Sequence, residues 1–212
     1  MQLPEFWMVA GPNGAGKTTC VQKEPISHLL PNVTFLNPDD RALAKLLALG
    51  YQGFVDAPAD VQGRMFIESA NEVFAELEEA MAHKDAAGVE TVLSSDKYRG
   101  LVESVAGQQG FVGLIYIALS SPAIAKERVA ARVKRGGHGI PDDKIEQRWK
   151  RSLDNLGWFA ANATAFWVFD NSDSNLANPP PLIASGKHGV LEYLDATTFA
   201  EVKAALSMLP AK

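Results

Sequence analysis

Residues 11–18 read GPNGAGKT, a full match to G-x-x-x-x-G-K-[ST], directly after the apolar run FWMVA and at the expected opening of a helix. This residue pattern handles phosphate groups. Gly11, Gly14 and Gly16 let the backbone bend so that successive amides point inward, and a helix N-terminus adds partial positive charge. Lys17 is placed to reach β- and γ-phosphates, and the Thr18 hydroxyl to hold Mg²⁺. Gly11, Pro12, Asn13, Gly14, Ala15, Gly16, Lys17, Thr18 and Thr19 are thus the expected ATP-binding segment, with ATP and Mg²⁺ as cofactors.

Carboxylates stand at the places where such a loop needs them. Asn37-Pro38-Asp39-Asp40 follows the second strand candidate, Glu90-Thr91 lies in the third, and Asp170-Asn171 follows the fifth. In a parallel α/β sheet ligands bind off the carboxyl ends of strands. A carboxylate there can take a proton from an attacking hydroxyl or hold Mg²⁺. Asp39 and Asp40 could equally cap the helix that follows. Asp170 reads as the start of a loop.

A third group is cationic. Residues 126–151 hold Lys126, Arg128, Arg132, Lys134, Arg135, Lys144, Arg148, Lys150 and Arg151 against four acidic residues. Arg128, Arg132 and Arg135 share one helix face, and Lys144, Arg148 and Arg151 repeat that spacing on a second helix. Two such stripes joined by Gly136-Gly137-His138-Gly139 describe a lid, over about residues 122–156, whose arginines stabilise a transferring phosphoryl group. Arg132, Arg135 and Arg148 are the expected contacts. Arg128, Lys134 and Lys150 read as a solvated face.

These groups need a scaffold, and the period of the chain supplies one. Strand-like runs at Phe6–Ala10, Val33–Leu36, Val89–Leu93, Phe111–Leu119 and Ala165–Phe169 alternate with helical patterns at 39–49, 60–81, 121–135 and 141–156. In the second helix Glu68, Glu72, Glu76 and Glu79 are expected to face water. A hairpin turning at 186–189 and a last helix from about Thr198 follow a polar loop at 171–181. The expected fold is α/β: a three-layer, mainly parallel five-stranded sheet with helices on both faces, in one domain over 1–212.

Composition limits the alternatives. The 212 residues are 47% apolar and 21% charged with net charge −5, which excludes a disordered chain and argues against coating nucleic acid by charge. The net charge is uneven: residues 126–151 carry nine positive against four negative side chains, the remainder eleven against 21. A single cysteine, Cys20, points to a reducing, cytoplasmic compartment, and no apolar run approaches membrane-spanning length. The four histidines have no zinc-ligand spacing, and Trp149, Trp158 and Trp167 read as core.

The chain resembles the zeta toxin family of P-loop kinases. The likeness rests on GPNGAGKTT at 11–19, FLNPDD at 35–40, ETVLSS at 90–95, IALSSPAIAKERVAARVKRGGHGIP at 117–141, RWKRSLDNL at 148–156 and FDNS at 169–172. It implies a nucleotide-kinase-like fold and transfer of the ATP γ-phosphate to the sugar 3′-hydroxyl of UDP-N-acetylglucosamine. It also implies Asp39 as base with Asp40 beside it, Glu90 and Thr91 near the acceptor, Arg135 and Arg148 on phosphates, and a small helical antitoxin as partner. The family's Asp-Gly-Asp turn is here Asn-Pro-Asp-Asp, with Arg41 immediately after, so the choice between Asp39 and Asp40 stays open.

Two other readings remain at this level. One is a kinase for another nucleoside, nucleotide or antibiotic hydroxyl. The other is an NTP-hydrolysing switch, disfavoured because VETVL sets Glu90 in mid-strand rather than at a strand end.

Overall fold

A computed structural model describes residues 2–30, 33–175 and 177–212. Met1, in the N-terminal stretch, and Leu176, in the 171–181 loop, lie outside them. Five parallel strands form one side of the sheet, from its β2 edge inward: β1 (Glu5–Ala10), β2 (Phe35–Leu36), β3 (Ala86–Thr91), β4 (Phe111–Ala118) and β5 (Ala165–Asp170). β4 is apolar almost throughout because both of its faces are covered. The hairpin is present as β6 (Leu182–Lys187) and β7 (Val190–Leu194), turning through His188 and Gly189, both at positive φ. It extends β5 antiparallel, so the sheet is seven-stranded and mixed rather than five-stranded, in the order β2-β3-β1-β4-β5-β6-β7. The chain order reverses at β1, and a crevice opens off the strand ends there.

The helices are α1 (Lys17–Cys20), α2 (Ile26–Leu29), α3 (Pro38–Ala48), α4 (Ala59–Ala82), α5 (Arg99–Gly107), α6 (Pro122–Val133), α7 (Asp142–Asn162) and α8 (Ala200–Leu206). Alternation along β1 assigns Phe6 and Met8 to one buried cluster, with Leu77, Val102, Phe159 and Val202 from helices. Trp7 belongs to the other cluster, with Cys20, Ala125 and Val129. Both faces of the sheet are therefore sealed, and α5 is an element the sequence pattern did not announce.

A third, smaller core contains no strand residue. Ala42 and Leu46 of α3 pack with Phe54, Ala57, Val61 and Met65, joining α3 and α4 into an arm. Charge pairs run along the same arm: Arg41 Nη2 donates to Glu76 at 2.8 Å, and Lys45 Nζ to Glu72 at 2.6 Å. Glu68, Glu72 and Glu76, expected simply to face water, are thus partners of α3. Exposed pairs of this kind are screened by solvent and contribute less than the apolar contacts beneath them.

Candidate active site

Gly11 has φ +145°, and a Cβ on it would stand 2.2 Å from the Ile117 carbonyl oxygen, so only glycine lets β1 turn here against β4. Gly16 caps α1 at φ +78°, where a Cβ would meet Asn171 Nδ2 at 2.9 Å. That Nδ2 donates to the Ala15 carbonyl at 2.8 Å while the Asn171 amide donates to Ala118, so β5's end braces the loop. Sequence reasoning passed over Asn171; an asparagine opening a loop carries no local signal of this role.

Lys17 is buried and folds back over the loop, donating to the Gly11 carbonyl at 2.9 Å. Burial lowers its pKa, the charges of Glu90 and Asp39 oppose that, and Arg132 adds to the lowering. Thr18 Oγ1 donates to the Glu90 carboxylate at 2.9 and 3.1 Å. The Glu90 carboxyl is pushed above its ordinary range, first by burial, against the pull of Lys17 and the Thr18 hydrogen bond, with Asp40 and Asp39 pushing the same way as burial.

A cleft of about 850 Å³ joins these groups. Asn13, Gly14, Gly16, Lys17, Thr18 and Thr19 line it, with Gly11, Pro12 and Ala15 buried behind. Asp39, Glu90, Thr91, Arg132, Arg135 and Arg148 line its other sides. Asp40 does not: it is exposed, and its carboxyl is raised by partial burial and by Asp39. The capping alternative resolves through a third residue. Asn37 Oδ1 accepts the Asp39 amide at 2.9 Å and caps α3, leaving the Asp39 carboxylate to the cleft.

Two sequence expectations are corrected by this geometry. β3 ends at Thr91, not Leu93, so Glu90 stands at a strand end beside the P-loop rather than in mid-run. Leu93 leaves the strand at φ +60°, its amide donating to Thr91 Oγ1. Arg128 is not on a solvated face; it lines the cleft, packs over Gly14 and donates to the Asp173 carbonyl at 2.8 Å. Of the second stripe only Arg148 reaches the cleft, whereas Lys144 and Arg151 are exposed outside it. Lys150 pairs with Asp154 on the surface, and Asp170 accepts from the Ser172 amide as a loop-opening residue.

The walls hold polar atoms without protein partners. Arg128 Nη1 and Arg132 Nε are buried donors with no bond, which suits a polyanionic ligand that would accept from them; Asn13 Oδ1, also buried and unbonded, is an acceptor and calls for a donor instead. A divalent cation also fits. Mg²⁺ takes oxygen ligands, retains waters and binds through one or two protein groups plus phosphates. The Thr18 hydroxyl and Glu90 carboxylate form such a donor pair. Among the described residues no cluster of three His, Cys, Asp or Glu could hold a metal by itself, and no helix is long and apolar enough to cross a membrane.

Fold and loop together define a P-loop protein with a kinase-like α/β fold. The family model AAA_33, described as an AAA domain, matches residues 6–157, and the chain belongs to that family. No curated protein matches its sequence. Among the solved structures that share the fold at low identity are the following two. AvrRxo1-ORF1:-ORF2 with ATP aligns over 99% of this chain and 77% of its own, at 13% identity and TM-score 0.66. A structure from the PezAT chromosomal toxin–antitoxin system of Streptococcus pneumoniae aligns over 99% and 79%, at 12% identity and TM-score 0.58.

Proposed function

We propose that this protein transfers the γ-phosphate of ATP to a hydroxyl of a nucleotide-sugar, with UDP-N-acetylglucosamine as the favoured acceptor. One observation carries the reading: Asp39, relieved of capping by Asn37, lines the same cleft as Lys17 and acts electrostatically on both Lys17 and Arg132. In this reading the acceptor oxygen forms a bond to the γ-phosphorus as the bond to the β,γ-bridging oxygen breaks. The hydroxyl proton passes to Asp39, and ADP leaves. Lys17, Arg132, Arg135 and Arg148 bear the charge on the transferring group, and Thr91 borders the acceptor. Mg²⁺, held by Thr18 and Glu90, would neutralise phosphate charge.

The resemblance to zeta toxins supports the acceptor class, and the fold shared with the structure from the PezAT toxin–antitoxin system supports a protein antitoxin as partner. The AvrRxo1 complex, solved with ATP, supports the donor. Incubating the pure protein with Mg-ATP and a panel of UDP-sugars and nucleosides, then weighing products by mass spectrometry, tests this. A UDP-sugar gaining one phosphate is the expected product. ADP release with no phosphorylated acceptor would instead favour the switch reading, which the position of Glu90 beside Thr18 keeps open.

A further inference from the structure

His138 lies in a glycine-rich loop, Gly136-Gly137-His138-Gly139, where a histidine would ordinarily be solvated. It is instead only 8% exposed. Its ring centroid stands 5.1 Å from that of Phe54 and 5.0 Å from that of Phe66, tilted by 53° and 56°. Those two phenylalanines stack face to face at 5.3 Å. Phe54 belongs to the small core between α3 and α4, and Phe66 packs against it. An imidazole from the α6–α7 loop therefore completes the core of the α3–α4 arm.

The same residue is tied to the cleft. Its carbonyl accepts from Arg132 Nη2 at 3.1 Å, and the Arg132 side chain runs so close over Gly137 that a Cβ there would stand 2.5 Å from Arg132 Cγ. The charged groups acting on the imidazole are Asp39 from α3, Arg132 from α6 and Arg148 from α7. Asp39 and Arg132 approach the cleft from different elements, and His138 sits between the loop that follows Arg132 and the α3–α4 arm that carries Asp39.

We propose that His138 is a latch: its neutral ring, seated against Phe54 and Phe66, fastens the α6–α7 lid to the α3–α4 arm and so sets Arg132 across the cleft from Asp39. It is a positioning residue, acting through Arg132. Its effect on nucleotide retention rests on nucleotide binding in the cleft that the phosphate-binding loop and Arg132 share; its effect on turnover rests on the phosphotransferase reading above. Burial lowers the His138 pKa, Arg132 and Arg148 act with it, and Asp39 opposes. A histidine with a lowered pKa when seated is held most firmly above the ordinary histidine range. The latch loosens as pH falls through that range, because the unseated ring takes up the proton first.

The test is release of a fluorescent ATP analogue, measured with Mg²⁺ by stopped flow on the full chain. His138→Ala should release it about tenfold faster at pH 7.5, or ~1.4 kcal/mol, on the scale aromatic contacts carry. His138→Phe keeps the ring and loses the proton site, so it should restore slow release. Wild-type release should accelerate between about pH 7.5 and about pH 5.5, and His138→Phe release should stay flat. Wild-type release from His138→Ala, or a His138→Phe curve that follows the wild-type pH curve, would overturn the latch. If His138→Ala shows no cooperative melt, the His138→Phe pH curve decides. Absence of any phosphorylated acceptor with these release rates intact would refute the kinase reading and leave the latch standing. Acceptor phosphorylation with unchanged release would do the reverse.

Discussion

The two walls of the cleft are built differently. The P-loop wall is backbone: Gly11 pressed on Ile117, Gly16 on Asn171, and Lys17 folded onto its own loop's carbonyls, all anchored to the centre of the sheet. The facing wall is side chain: Asp39 on the arm and Arg132, Arg135 and Arg148 on the basic α6–α7 segment, with an aromatic contact at His138 joining the two. A side chain added to the first wall would clash, with main chain at Gly11 and with the Asn171 amide at Gly16, whereas the second wall is joined through side-chain contacts. In the proposed reaction the first wall cradles the phosphates, while the second adds Arg132 to nucleotide retention and carries the reacting groups.

That division can be broken most sharply at the reacting groups. Asp39→Asn, or Arg135→Ala, should lower turnover by about 10³-fold while leaving ATP affinity within a few-fold, by the scale of charge-stabilising arginines and positioned bases. Initial rates and nucleotide titrations check this, and unchanged turnover in both variants would dissolve the distinction.

The backbone wall should fail the other way. Gly11→Ala forces a Cβ into a carbonyl oxygen and an L-residue into a region it rarely adopts, and should cost about 3 kcal/mol or more in urea unfolding along with nucleotide binding. A milder loss follows from Asn171→Ala. It strands the Ala15 carbonyl and should cost about 1–2 kcal/mol, with weaker ATP binding.

Glu90 tests where the walls meet the cation. Its raised pKa means that, as pH falls, the folded protein takes up this proton earlier than an ordinary glutamate would. Proton uptake favours the folded metal-free chain in that window and removes a metal ligand. Mn²⁺ affinity, measured with ADP present, should therefore fall about tenfold per pH unit below a midpoint above the ordinary glutamate value. Glu90→Gln should show weak, pH-independent binding; an equally steep wild-type-like curve would remove Glu90 from the cation site.

How much of this was legible in the sequence depended on how local each cause is. The P-loop was readable because its glycines and lysine act within eight residues of chain. The end of β3 was not, because VETVL looks apolar through Leu93, and nothing nearby announces that Leu93 turns to positive φ with Thr91 holding its amide. Arg128 looked solvated on its helix, since the loop whose Asp173 carbonyl captures it lies far along the chain. Asp39 and Asp40 were indistinguishable until Asn37 proved to be the cap and Asp40 to lie outside the cleft.

The sequence by itself determined the phosphate-binding loop, the parallel strands and the existence of a basic helix pair, because each is written in contiguous residue types and periods. Only the tertiary structure decided which carboxylate faces the cleft, which arginines reach it and that His138 is seated in the arm's core. Those facts depend on the approach of segments distant in the chain, and burial and charge act through space rather than along it.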